Sequence, residues 1–436
     1  MADIIIENGT VLTMDPANEH TLKEGTVVIE DGLIKDISLS TNERADTVID
    51  ASGCVVMPGL INTHTHAGMT LLRGYADDMA LNQWLEDNIW PVEAQMSDDD
   101  IYAGTLLACV EMIKSGTTSF ADMYIHVEMV AKAVERSGMR AALSYGMIDF
   151  GDSIRADREL EEGKRFVKKW NGSADGRITT MYGPHAPNTC SEELLIRVRE
   201  QAEHDNVKVH IHVLETEDEL NQMKEQYGMC SVNMLDRIGF LDNNILAAHC
   251  IWLSGGDIEI LRERKVNVSH NPVSNMKLGS GIAPVKELID KGINVSLGTD
   301  GCASNNNLDM FEEMKTATLM QKVSKLDPSL VPADTVLKMG TSNGGRALGI
   351  KSGILKKGYN ADVIIVDMNK PHLTPLYDPI SHIVYSARGS DVRTTIVQGQ
   401  ILMDNYELKF LDENTVMEDA RKAAADLIER VDIKRE

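Results

Sequence analysis

Between residues 58 and 350, short apolar runs alternate with longer stretches of helical periodicity, and this alternation narrows the fold more than any other feature. The runs are "GLINTHTH", "TTSFADMY", "RAALSYGMI", "RITTMYGPH", "KVHIHVLE", "ILAAHC", "VNVSH" and "NVSLGTD". Stretches such as "DDDIYAGTLLACVEMIKSG" and "SEELLIRVREQAEHDN" separate them, with apolar residues at helical spacing. Eight strands alternating with helices predict an α/β fold of the (β/α)8 TIM-barrel type. Such barrels carry their chemistry at the C-terminal ends of the strands.

Polar residues fall at those ends. His64 and His66 end the first run, His185 the fourth, His212 the fifth, His249 the sixth, His270 the seventh and Asp300 the eighth. In an extended segment residues i and i+2 share a face, so His64 and His66 converge, as do His210 and His212. Three imidazoles and a carboxylate can hold a divalent ion and leave a position for water, whose pKa the ion lowers to about 7. Residue type alone leaves His210 open as a ligand beside His212, and does not choose among zinc, iron and manganese.

The flanks have a different texture. Residues 1–57 read as short strands, with Asn8-Gly9 and Asp31-Gly32 as hairpin turns. Strand-like runs return in "GYNADVIIVDM", "HIVYSARG" and "TTIVQGQILMDN". The expected organisation is a barrel domain at 58–350 and a small β-sandwich domain built from both chain ends, 1–57 and 351–436, the latter closing in a helix.

Composition excludes several function classes. A formal charge of −24 argues against a nucleic-acid backbone or an anionic membrane as partner, although high-salt adaptation also produces acidic surfaces. No apolar run approaches a bilayer span, and "MADIIIENGT" lacks the positive charge of a signal peptide, so the expected address is the cytoplasm. The six cysteines, at 54, 109, 190, 230, 250 and 302, contain no C-x-x-C. That removes disulfide frameworks, thiolate zinc sites and the H-x-E…P-C-x-x-C deaminases. Dinucleotide and P-loop motifs do not occur.

The set "THTH", "HVLE", "AAHC", "SHNPVSN" and "LGTDG" resembles the amidohydrolase superfamily over nearly the whole chain. Within it, "MPGLINTHTHAGMTLLRG", "WPVEA", "YGPHAPNTCSEELL", "HIHVLETEDE", "VSHNPVSNMKLGSGIAPV" and "LGTDGCASNNNLDMFEEM" look like the methylthioadenosine/S-adenosylhomocysteine deaminases, most of all their archaeal 5′-deoxyadenosine branch. The resemblance implies a TIM barrel with a β-sandwich and one divalent metal per subunit, Zn2+ first and Fe2+ or Mn2+ as alternatives. It implies hydrolytic deamination, by metal-activated water, of 5′-deoxyadenosine, 5′-methylthioadenosine, S-adenosylhomocysteine and adenosine to the inosine analogues plus ammonia. It also implies a homo-oligomer, a tetramer in the family, handling by-products of S-adenosylmethionine chemistry.

Residue by residue, the likeness makes His64, His66, His212 and Asp300 the metal ligands. Glu215 becomes the proton shuttle from water to purine N1, His249 the group that polarises the water, and Asp300 an acceptor that orients it. Glu93 would hold the ribose hydroxyls and His185 would contact the nucleoside. His126 and His270 match no catalytic role and read as structural. No lysine ends the fourth run, so the two-metal arrangement with a carboxylated lysine is not expected. Tyr145 stands where some of these deaminases carry an arginine, and Arg158, or Arg155, matches a second one from the following loop. Small uncharged 5′ groups are then the expected preference. Two rivals remain: a guanine deaminase or triazine hydrolase using the same metal set, and a non-catalytic scaffold. Scaffolds on this barrel typically lose ligands, and every expected ligand is present here.

Overall fold

A computed structural model describes residues 2–17, 21–79 and 81–435. The eight apolar runs form eight parallel strands, each paired with the next: Leu60–Thr65, Thr117–Tyr124, Arg140–Met147, Ile178–Pro184, Lys208–Val213, Ile245–His249, Asn267–His270 and Asn294–Leu297. The eighth meets the first where Thr63 Oγ1 donates to Leu297 O at 2.9 Å and Asp300 N donates to His64 O at 2.9 Å. The intervening helices begin where the sequence supplies caps. Ser97 and Asp100 form a reciprocal capping box on Asp98–Lys114, and Ser191 Oγ accepts from Leu194 N at the start of Glu192–Asp205.

The two ends of the barrel are filled differently. At one, Ile61, Ala121, Ala142, Met181 and Leu246 pack on Ala347 and Leu348 of the helix Ser342–Leu348. Gly344 permits that approach, since a Cβ there would lie 2.8 Å from the Ile61 side chain. This apolar plug leaves the C-terminal strand ends as the place for polar groups.

A separate mixed sheet draws Ala2–Leu12, Thr21–Glu30, Leu33–Ser38, Ala45–Asp50 and Cys54–Pro58 from one flank, and Val363–Asp367, Val392–Val397, Gln400–Asp404 and Glu407–Leu408 from the other. The flanks join where Cys54–Pro58 runs antiparallel to Val363–Asp367. Side chains alternate there: Val55, Met57, Ile364 and Val366 enter the barrel's core, while Cys54, Val56, Val363 and Ile365 pack with Ile4, Ile6, Val27 and Ile29 in a second core. One ladder therefore fastens the sheet to the barrel.

Two local expectations are corrected. Asn8-Gly9 is not a hairpin turn but an irregularity inside the single strand Ala2–Leu12, with register shifts on both sides of Gly9. A Cβ on Gly9 would sit 2.6 Å from Val56 Cγ2, so the glycine serves close packing rather than chain reversal. "HIVYSARG" is not a strand either. Asp378 caps Ile380 N and Pro379 opens the helix Pro379–Tyr385, which buries Ile383 and Val384. Asp31-Gly32 does turn a hairpin, both residues having positive φ (52° and 73°) between Thr21–Glu30 and Leu33–Ser38.

The helix Glu413–Arg435 closes the chain against Asp98–Lys114, through Lys114–Glu413 at 2.7 Å and Arg430–Asp100. Among the described residues no helix is long and apolar enough to cross a membrane, and all six cysteines are free and buried.

Candidate active site

Strained backbone marks the C-terminal rim. Leu214, His249, Cys250 and Asp300 are non-glycine residues with φ of 50°, 71°, 51° and 65°, all just beyond or at the ends of the fifth, sixth and eighth strands. Left-handed geometry costs about 1 kcal/mol or more for such residues, and is retained where the surroundings enforce it. Two of them, His249 and Asp300, reach one point.

At that point His64 Nε2 and His66 Nε2 lie 3.3 and 3.1 Å from Asp300 Oδ1, and His212 Nε2 lies 3.4 Å from His66 Nε2. The ligand atoms of His64, His66 and His212 lie within 4.8 Å of one another, as do those of His64, His249 and Asp300. Among the described residues His64 Nε2 is buried with no hydrogen-bond partner, an arrangement that costs energy unless a cation takes the lone pair. The donor set therefore fits a divalent ion.

Each ring is fixed from behind. His66 Nδ1 meets Met123 O at 2.6 Å, His212 Nδ1 meets His185 O at 2.7 Å, and His64 Nδ1 meets His210 Nε2 at 2.8 Å. At the two carbonyls the ring must donate from Nδ1, which leaves its Nε2 bare toward the centre. Asp300 Oδ2 accepts from Ser274 Oγ at 2.6 Å and Ser304 Oγ at 3.0 Å. Burial would raise the Asp300 carboxyl, but His64 and His66 outweigh it and hold the group well below the usual carboxylate range.

Glu215 and His249 stand beside this set, Oε2 to Nε2 at 3.7 Å. Burial pushes the Glu215 carboxyl up to about 7, while His249 pulls the other way. A carboxyl near neutrality can both take and return a proton. His249 Nδ1 donates to Asn275 Oδ1 at 2.8 Å, which turns its Nε2 toward Glu215. Glu219, buried, accepts from Leu214 N at 2.9 Å, Glu215 N at 3.0 Å and Ser231 Oγ at 2.6 Å, clamping the turn that presents Glu215.

The cavity over these groups is walled by Met69, Leu81, Trp84, Leu85, Trp90 and Leu278, with Glu93 and His185 among its polar lining. Glu93 Oε1 accepts from Tyr124 OH at 2.7 Å, which leaves its second oxygen for another donor. His185 Nδ1 bonds Thr189 Oγ1 at 2.9 Å, and burial lowers its pKa to about 4, so it is a neutral imidazole.

The structure thus brings together His64, His66, His212, Asp300, Glu215, His249, Glu93 and His185. It does not bring Arg158 there. Its side chain is 69% exposed and pairs with Glu159 at 3.3 Å, because the helix Ser153–Trp170 directs it to solvent. Arg155 lies over the Phe150 ring, 5.4 Å from its centroid. Tyr145 lines an adjoining compartment that shares Glu93 and Ile125 with the main cavity; burial and then Glu159 raise its phenol. His126 bonds Asp98 at 2.6 Å on that compartment's wall, and His270 is fully buried outside the lining. Residue patterns assigned no role to Tyr124, nor to Thr189 and Glu219, although these two lie in "YGPHAPNTCSEELL" and "HIHVLETEDE". Ser274, Asn275 and Ser304 had a signal, since they lie in "SHNPVSN" and "SNNN".

Comparison with known proteins places this geometry. The amidohydrolase family model matches residues 55–402. A Methanosarcina acetivorans protein named 5′-deoxyadenosine deaminase is 64% identical over 99% of both chains. One from Pelotomaculum thermopropionicum named 5-methylthioadenosine/S-adenosylhomocysteine deaminase is 50% identical over 99% of this chain and 100% of its own. Among solved structures, a zinc-bound adenosine deaminase from Xanthomonas campestris superposes with a TM-score of 0.94 at 33% identity, covering 98% of each chain. A match of that extent, on a barrel whose rim collects these histidines and acids, means that the chain belongs to the amidohydrolase family, alongside relatives named as deaminases of 5′-modified adenosines.

Proposed function

We propose that this protein hydrolyses the 6-amino group of 5′-modified adenosines, giving the inosine analogue and ammonia. The observation that carries this is the pairing, in one cavity, of the His64/His66/His212/Asp300 cluster and Glu215 with a carboxylate and a neutral imidazole, Glu93 and His185, that can bind a nucleoside. One divalent ion, zinc in this reading, would be held by His64, His66, His212 and Asp300 and would acidify the attacking water.

The chain's own groups do the rest. Glu215 takes the water's proton and delivers it to purine N1, a transfer suited to a carboxyl near 7. His249, whose Nδ1 is held by Asn275, directs Nε2 at the same water and polarises it. Asp300, held ionised by its histidine neighbours and oriented by Ser274 and Ser304, fixes the line of attack. Glu93 accepts from the ribose 2′- and 3′-hydroxyls with the oxygen that Tyr124 leaves free. The apolar wall of Trp84, Trp90 and Leu85 excludes water from the purine face.

The 5′ group would extend past Glu93 toward Tyr145. The cations of that compartment are already neutralised, Arg165 by Glu162 and Lys169 by Glu128. A carboxylate-bearing tail would have to break one of these pairs, whereas a methyl or thiomethyl group would not. We therefore place 5′-deoxyadenosine and 5′-methylthioadenosine above S-adenosylhomocysteine, in a cytoplasmic homo-oligomer. The test is kcat/KM for these nucleosides and adenosine, followed by the absorbance change from adenine to hypoxanthine. No turnover of any adenosine by metal-replete protein would overturn the reading, and turnover of a triazine or guanine instead would replace it.

A further inference from the structure

Two of the histidines that face the metal position rest their Nδ1 on peptide carbonyls, at Met123 and His185. The third does not. His64 Nδ1 lies 2.8 Å from Nε2 of His210, a fully buried ring set edge-on to it with centroids 4.8 Å apart. His210 is two residues before His212 on the same strand and shares its face, but its ring sits one layer deeper.

We propose that His210 is the positioning residue for His64: its Nε2 accepts the His64 Nδ1 proton and so commits His64 Nε2 to the metal. This rests on the metal reading above. Two tautomeric arrangements are open to the pair. In one, His64 carries its proton on Nδ1, donates to His210 Nε2, and presents a bare Nε2 to the centre. His210 then carries its own proton on Nδ1, which has no partner among the described residues. In the other, His210 donates from Nε2 and the His64 proton sits on Nε2, 3.3 Å from Asp300 Oδ1. Only the first can ligate a cation. The two arrangements carry the same number of protons and the same charge; passing from the second to the first moves one proton along the hydrogen bond to His64 Nδ1, releases one from His64 Nε2 and takes one up at His210 Nδ1. His210 is thereby excluded as a ligand, because its Nε2 is engaged with His64. An imidazole also differs from a carboxylate in this place, since it orients the ligand without adding negative charge to a centre that already holds Asp300.

The test compares acceptors of different reach in the holoenzyme. His210→Gln keeps an acceptor oxygen near the position of Nε2, His210→Asn falls short of it, and His210→Met fills the space without a strong acceptor. Zinc affinity is read by competition with a chromogenic chelator, together with kcat. The Met and Asn variants should bind zinc ~10–100-fold more weakly, and Gln should recover most of that loss. Wild-type affinity in both Met and Asn variants, or equal losses in Gln, Asn and Met, would overturn the proposal. If Met does not fold, the Gln–Asn difference still decides it. His64→Ala separates the two levels: retention of wild-type zinc affinity there would remove the metal reading itself, whereas its loss beside an unaffected His210 series would remove only this inference.

Discussion

The metal-facing cluster and the compartment beyond Glu93 share two wall residues, yet they are built on opposite terms. In the cluster, the four imidazoles and Asp300 are buried or nearly so and are each held by a second group: Met123, His185 and His210 behind His66, His212 and His64, Ser274 and Ser304 behind Asp300, Asn275 behind His249. Beyond Glu93, the charged groups are long side chains paired near solvent, with Arg165 65% and Lys169 53% exposed. Ordering a buried group needs partners already in place, whereas exposed pairs contribute little and rearrange easily. The proposed function therefore ties chemistry to the rigid half and 5′ preference to the soft half, where sequence change is cheap.

The contrast breaks most visibly at Glu215. Glu215→Gln should keep the fold and the metal while kcat falls by ~10²–10⁴, measured by hypoxanthine formation at saturating substrate. A near-normal kcat would mean that the rigid half does not contain the proton shuttle. The same variant sharpens the cost of that rigidity. The Glu215 carboxyl is raised in the fold from 4.5 to about 7, so its penalty is absent at low pH, where both states are protonated, and grows as pH rises to 7. Metal-free Glu215→Gln should thus gain stability over the wild type between pH 4.5 and 7 and hold that gain above it, on the order of 3 kcal/mol by denaturant unfolding. A difference independent of pH would mean that the carboxyl is solvated.

Glu93 lies on the boundary. Glu93→Ala should raise KM about 10–100-fold for every ribonucleoside but leave a 2′,3′-dideoxy analogue nearly unchanged, since a hydrogen bond to a charged group is worth about 1.5–3 kcal/mol. Equal losses on both would assign Glu93 to Tyr124 alone. The smallest effect belongs to the soft half. Tyr145→Arg should shift kcat/KM toward S-adenosylhomocysteine over 5′-deoxyadenosine by a few-fold, on the order of 1 kcal/mol for an exposed charge pair. No shift in that ratio would place the 5′ group elsewhere.

The eight strand runs were legible because apolar runs of strand length alternate with stretches of helical period, and all eight lie where the pattern puts them. Asn8-Gly9 shows the limit. The dipeptide suits a reversal, but the same glycine suits a strand that must approach Val56, and only packing distinguishes the two. "HIVYSARG" is similar, since β-branched residues beside a capping Asp378 and Pro379 serve a helix once a surface is there to bury Ile383 and Val384.

At the site, sequence alone determined that His64 and His66 share a face, that Glu215 follows a strand-end histidine by three, and that the polar groups gather at one end of a barrel. These are consequences of period-2 side-chain direction and of strand order, which are local. The tertiary structure decided which of His210 and His212 faces the metal position. Both project from the same face of one strand, and two residues of rise put the first level with His64 Nδ1 and the second level with His66 Nε2. It also decided that Arg158 points to solvent and that Tyr124, Thr189 and Asn275 bond Glu93, His185 and His249, while Glu219 holds the backbone of Glu215. Such assignments depend on depth and on which strands lie across the barrel, and residues far apart in sequence carry no mark of that distance.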